Sequence, residues 1–335
     1  MTASGNNSGP TIKLYLEYLA YLVVRLLEEA ICLIPSLEKA LVVGRVVGRL
    51  GFVLVPDRRQ AAIENLTIAF GSERTPAEIR LLARRNFEHL GMMGVEFFRL
   101  RRWTQDELAE RLIISGRESF NLAWSPGRRG VLHLMAHVGS FEVLAATSRF
   151  QGMSAYLVVT GMGNRFVDRR MLHGRGGNDS GLRIIPHRGV VHTVIEALKA
   201  GDVVGALGDQ RGDDTRPVWV DFFGKKALAN GVFARFAMEG DAYCCPVRAL
   251  RGEGGKYRVI YEEELPIQVT GDWDQDVAVN SQRFHEVFER WLRETPEQGF
   301  WMHRKFKRRP KKRKGKKVRH VEQAPVEDGS HRVPS

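Results

Sequence analysis

Cysteine is scarce: the chain has three, Cys32, Cys244 and Cys245, in 335 residues. Two are adjacent, so no disulfide framework suggests itself, and the spacing does not suit zinc; a reducing, cytoplasmic setting fits best. Uninterrupted apolar runs are also missing. The segment from Leu14 to Pro35 is broken by Glu17, Arg25, Glu28 and Glu29 and falls far short of the ~20 residues that span a bilayer. The first ten residues lack the basic region and small-residue cleavage site of a secretory signal, so export is not expected. No internal repeat occurs, and 43% hydrophobic with 27% charged residues excludes disorder for most of the chain.

A surplus of one charge is absent from the body. The formal net charge is +12, but the run from Arg304 to Arg319 carries twelve Lys and Arg and no acid; without it 39 basic residues face 39 acidic ones. A nucleic-acid-binding protein with a basic tail would also show a basic folded domain or a binding motif, and neither is present. The tail reads as disordered and suited to an anionic membrane surface, with no nucleic acid as partner.

What is present starts with helices. On a helical wheel Lys13, Glu17, Tyr21, Arg25, Glu28 and Glu29 share one side, while Tyr15, Leu19, Leu22, Val23, Leu26 and Ala30 lie largely on the other. This amphipathic helix suits either the protein's own core or a membrane surface. Residues 36 to 56 predict a second helix or helical hairpin, with lipid or protein as partner. Thr75, Pro76 and Glu78 form a capping box, and the apolar period through Leu81, Leu82, Phe87, Leu90 and Phe97 predicts a long helix.

After Pro126 the pattern changes to β-rich runs at 130–136, 154–160, 182–186, 202–208, 218–222, 243–249 and 257–262. Helical stretches near 140–150, 189–200 and 227–240 separate several of them, and a last helix covers roughly 276 to 294. The alternation predicts an α/β fold, a mixed sheet covered by helices, with an N-terminal membrane-associated helical segment.

His137 ends the run GVLHLMAH, and Gly139 and Ser140 then offer a turn and an N-cap that place Glu142 in a helix's first turn. Taking a proton from a hydroxyl needs a base near neutral pH, which histidine supplies, and a carboxylate on its far ring nitrogen fixes the tautomer. Ten histidines and 39 acids predict about one chance match to this spacing, so the motif alone is weak. His133 and His137 lack the glutamate of the zinc-binding HExxH pattern, and Ser140 lacks a Gly-x-Ser-x-Gly elbow, which leaves it a helix cap.

Context strengthens the motif. From about Arg58 to Lys307 the chain carries, in order, RRQAAIENLTIAF, GVEFF, HVGSFE, GDVVGALGDQ, DFFGKKALANGVFARFAMEGDAYCCPVRALR and PEQGFWMHRKFKRRP. These segments resemble the bacterial lysophospholipid and lipid A acyltransferase family, specifically the late lipid A acyltransferases. The resemblance implies His137 as catalytic base and Glu142 as its partner. It implies substrate or oxyanion contact for Arg175, in NRFVDRRMLHGR, and a role in shaping the acceptor site for Asp209 and Gln210. Phe222, Phe223 and Gly224 match an aromatic-Gly turn that serves as core or acyl-groove wall.

The expected organisation is a membrane-associated helical segment over 1–56, an acyltransferase domain over 57–303 and a basic tail over 304–335. The expected donor is an acyl carrier protein thioester, and the acceptor a lipid A precursor-like glycolipid. A lysophospholipid, an aminolipid or a mannosylated inositol lipid is the alternative acceptor. No metal or bound cofactor is implied. The resemblance places the enzyme at the cytoplasmic face of the inner membrane, as a peripheral or single-pass protein. Arg211, Arg216, Lys225 and Lys226 are candidates to meet the acidic carrier or lipid phosphates.

Overall fold

The computed structural model describes residues 9–123, 129–147, 155–159, 163–175, 182–186, 190–211 and 218–306. Helices α1 (Gly9–Cys32), α2 (Leu37–Leu54), α3 (Pro56–Phe70) and α4 (Pro76–Leu100) come first, then α5 (Gln105–Ala109), strand β1 (Leu112–Ser115) and α6 (Arg117–Ala123). Next come β2 (Val131–Met135), α7 (Phe141–Thr147), β3 (Ala155–Val159), α8 (Arg165–Arg175), β4 (Leu182–Pro186), α9 (Val190–Lys199) and β5 (Val203–Leu207). A hairpin of β6 (Val218–Phe222) and β7 (Lys225–Ala229) precedes α10 (Val232–Glu239), β8 (Tyr243–Arg251), β9 (Tyr257–Tyr261) and α11 (Trp273–Glu294).

The main sheet has the order β1-β9-β8-β2-β5-β3-β4; all neighbours are parallel except the β8–β9 pair, so the expected α/β fold with a mixed sheet holds. Every residue of β2 is buried, because alternate side chains serve cores on opposite faces of the sheet. Leu132 and Leu134 join the core with α3, α9, α10 and α11, whereas Val131 and Met135 join the one with α2 and α7.

All seven expected strands form. Sequence patterning missed β1, too short to carry a period, and β7, whose last residues fell in the helix expected near 227–240 that starts only at Val232. The hairpin turn holds Phe223 at φ 51° and Gly224 at φ 67°. A bulky residue at positive φ is strained, and here burial compensates, with the Phe223 ring packed against Phe70, Phe222 and Trp301. Phe222 and Phe223 are thus core residues.

The capping box at Thr75 and Glu78 is present and starts α4 as expected. Helix α2 packs on α4 at backbone contact: a side chain at Gly48 would collide with the Phe87 carbonyl, and one at Gly91 with the Gly44 carbonyl. One face of α2 is therefore committed to protein, yet Val43, Val46, Val47, Leu50 and Leu54 on its other side are exposed.

Helix α1 is turned the opposite way from a helix that packs on a core. Its charged side faces the protein: Glu28 is 2% exposed and Glu17 binds Arg165. Its apolar side faces out, with Tyr15, Leu16, Leu19, Val23 and Leu26 all at least half exposed. Of the two readings of this helix, packing of the apolar face on the protein's own core is excluded. Among the described residues no helix is long and apolar enough to cross a membrane.

The folded region runs past the expected boundary at 303, since Lys305 is buried and Phe306 packs against the core. The remainder of the basic tail, and Arg216, lie outside the described residues.

Candidate active site

The parallel pairing of β2 with β5 sets Met135 opposite Leu207, so His137 and Asp209, two residues beyond each, emerge side by side at the strands' carboxyl ends. His137 Nδ1 lies 2.7 Å from Asp209 Oδ1, and its Nε2 lies 3.2 Å from the amide nitrogen of Gln210. Nδ1–H donates to the carboxylate and the Gln210 amide donates to Nε2, which fixes the neutral tautomer with its lone pair on Nε2. The rings of Phe141 and Phe300, with centroids 5.0 and 5.5 Å away, flank the imidazole.

Burial works to lower the pKa of His137, but the charge of Asp209 and its hydrogen bond, with a smaller contribution from Glu142, raise it above the ordinary value. For Asp209 burial acts upward, and the His137 interactions together with the Lys305 charge outweigh it and hold the carboxyl at about 2. Lys305 donates to the Asp209 carbonyl and to His285 Nε2 at 2.9 Å. Its burial lowers it to about 8 against the opposing charge of Asp209. His285, buried beside this cation and donating from Nδ1 to the Ser281 carbonyl, is pushed down to about 3.

A second buried network fixes the loop that carries His137. Gly139 at φ 67° lies so close to Ala249 that a side chain would collide with its carbonyl, and the Gly139 N–H donates to the Gln298 carbonyl at 2.8 Å. Ser140 precedes α7, where its carbonyl accepts from the Val143 N–H at 2.9 Å, and its hydroxyl donates 2.8 Å to buried Glu96. Glu96 also accepts from Arg251 and from Tyr257 at 3.0 Å. His89 accepts from Arg251 at Nδ1 and faces the Gly139 carbonyl with Nε2. Asn86 and Asn65 bind the carbonyls of Glu297, Gly299, Trp301 and His303, so the early motifs hold the late one in place.

Glu142 sits in the first turn of α7 as expected. It adds negative charge near His137, while the carboxylate in contact with the ring belongs to Asp209. Glu142 also lines a cavity of about 300 Å³ between α1, α4 and α8. Arg175 ends α8, and its side chain lies outside the described residues. On the same helix Arg170 grips Glu28 of α1 through two nitrogens, each at 2.8 Å. Lys226 pairs with Asp221 on the β6–β7 hairpin.

The Asp209 contact was readable only once β2 and β5 were paired; Glu96, Arg251 and Lys305 were missed because each signal is a single charged residue far away in the chain. A largely enclosed histidine held by a carboxylate on one nitrogen and by an amide on the other, at the carboxyl ends of parallel strands, is an arrangement suited to acid–base chemistry in an α/β enzyme.

Residues 10–308 match the family described as bacterial lipid A biosynthesis acyltransferase. The chain belongs to that family and is an acyltransferase. It is 24% identical over 269 residues to the lipid A biosynthesis palmitoleoyltransferase of Escherichia coli (strain K12), covering 80% of this chain and 84% of that one. It is 25% identical over 268 residues to the lipid A biosynthesis lauroyltransferase of the same organism, covering 79% and 84%. The lipid A biosynthesis acyltransferase of Shigella flexneri is 24% identical over 269 residues, 80% of this chain and 84% of the relative.

Proposed function

We propose that the protein transfers a fatty acyl group from an acyl carrier protein thioester to a hydroxyl of a lipid A precursor-like glycolipid, with His137 as general base. The observation that carries this reading is the imidazole held between Asp209 and Gln210 with its Nε2 lone pair facing the site. The acceptor hydroxyl takes the place of the Gln210 amide at Nε2 and gives up its proton as its oxygen attacks the thioester carbon. The C–S bond breaks, and the imidazolium returns that proton to the leaving thiolate. Asp209 holds the tautomer and balances the imidazolium, and Glu142 adds negative charge from the first turn of α7. Arg175 is assigned substrate or oxyanion contact on the family resemblance alone.

The outward apolar faces of α1 and α2 support work at the cytoplasmic surface of the inner membrane, where a lipid acceptor resides. The basic tail adds attraction to anionic headgroups. The test is to incubate the protein with acyl carrier thioesters and lipid A precursors in mixed vesicles and weigh the products. One added acyl group per acceptor is expected, with His137→Ala reducing turnover by roughly 10²–10⁴-fold. Near-normal turnover in His137→Ala would overturn the assignment of the base.

A further inference from the structure

Helix α4 has two interior glycines three residues apart, with opposite surroundings. A glycine inside a helix is disfavoured by about 1 kcal/mol relative to alanine, so each needs a reason. Gly91 has one in the backbone contact with α2. Gly94 has none of that kind, because a Cβ built on it meets no atom within 4 Å. What it faces is the cavity of about 300 Å³, walled beside it by Val24, Leu90, Met93, Phe97 and Val167. At ~30 Å³ each, the share of one water molecule in the liquid, such a volume holds on the order of ten methylenes.

The cavity is apolar along the α4 stripe from Leu90 to Phe98 and charged at its border with Glu28, Arg101 and Arg170. The Glu28 carboxylate is held by both Arg170 nitrogens and lies 3.6 Å from Arg101, so a hydrocarbon has no gain in passing beyond Phe98. On another side the wall is Glu142, in the turn that follows His137.

We propose that this cavity receives the acyl chain of the donor and that Gly94, by leaving its wall open, sets the longest chain accepted. This rests on the acyl-transfer reading above. A side chain at 94 fills space that the distal methylenes need, while Gly94→Leu favours the helix itself, since leucine is the better helix former and the added Cβ meets no atom within 4 Å. The chain is assigned to the donor, whose thioester carbon lies beside the His137 turn that the cavity adjoins, and the acceptor arm of the test below separates it from a tail of the acceptor.

Two measurements test it on the full-length protein and on Gly94→Ala and Gly94→Leu. The first is displacement of a fluorescent fatty acid by decanoic, lauric, myristic and palmitic acids. The second is transfer from the corresponding thioesters to one fixed acceptor, with a parallel arm that fixes the donor and varies the acceptor's tails. Gly94→Leu is expected to cut the long-to-short preference by tenfold or more in both binding and the donor arm, with Gly94→Ala close to the unsubstituted protein. Unchanged profiles in Gly94→Leu, or a shift confined to the acceptor arm, overturn the proposal. A shifted binding profile with no transfer to lipid A precursors overturns the acceptor reading and leaves this one standing.

Discussion

Helix α1 and the carboxyl end of the sheet handle charge in opposite settings. In α1, Glu17 and Glu28 turn toward the protein and find arginines there, while leucines face out. At the sheet end, His137, Asp209 and Lys305 are enclosed by aromatic rings and by one another. A helix whose apolar face packs on a core would turn its acids outward, and α1 does the reverse, which is what supports the proposed work at a lipid surface. At the sheet end the outer medium is immaterial, and burial sharpens each charge's effect on its neighbour.

The largest break in this comparison is expected from Asp209→Asn. The amide keeps the shape but loses the charge that balances imidazolium, and the rate should fall on the order of 10²-fold or more. Because Asp209 raises the His137 pKa, the acid limb of kcat/KM should lie above the usual histidine position in the native enzyme and move to lower pH in this variant. Vesicle binding should not change. An unmoved acid limb would remove Asp209 from the role.

Helix α1 is tested by Leu19→Glu combined with Leu26→Glu, at positions 59% and 70% exposed. Two leucines withdrawn from an apolar medium represent about 3 kcal/mol, or about 100-fold in vesicle affinity. Turnover on detergent-dispersed substrate should hold, because neither side chain supports the site. Equal binding by flotation would return the face to ordinary exposed surface.

Next is Glu142→Gln. As a charge near His137 without the ring contact that Asp209 makes, it should lower the rate less than Asp209→Asn does, and it should weaken the start of α7 by about 0.3–1 kcal/mol. A rate loss equal to that of Asp209→Asn would make Glu142 the principal partner.

The smallest effect is one of slope. Lys305 titrates at about 8 when folded against an ordinary value near 10.5, so between these the unfolded chain binds more protons and stability rises with pH. Lys305→Met should flatten urea-unfolding midpoints across that window; an unchanged slope would contradict a buried, titrating lysine.

Much of the fold was legible in the sequence because its signals are local. The capping box at Thr75, the β-rich runs and the amphipathic period of α1 each need only neighbouring residues, and all formed. The histidine and Glu142 were legible as a motif, and Asp209 and Gln210 as a matching pair, without any sign that the pair serves the histidine.

By itself the sequence determined most of the elements, the neutral body with its basic tail, and His137, Glu142 and Asp209 as residues able to do acid–base work. The tertiary structure decided which carboxylate reaches His137, because parallel pairing of β2 with β5 is a contact between residues 72 positions apart. It also decided which face of α1 looks outward. Helical periodicity defines two faces and is blind to which of them meets protein, and only the arginines of α4's end and of α8, placed opposite Glu28 by the fold, select the charged one.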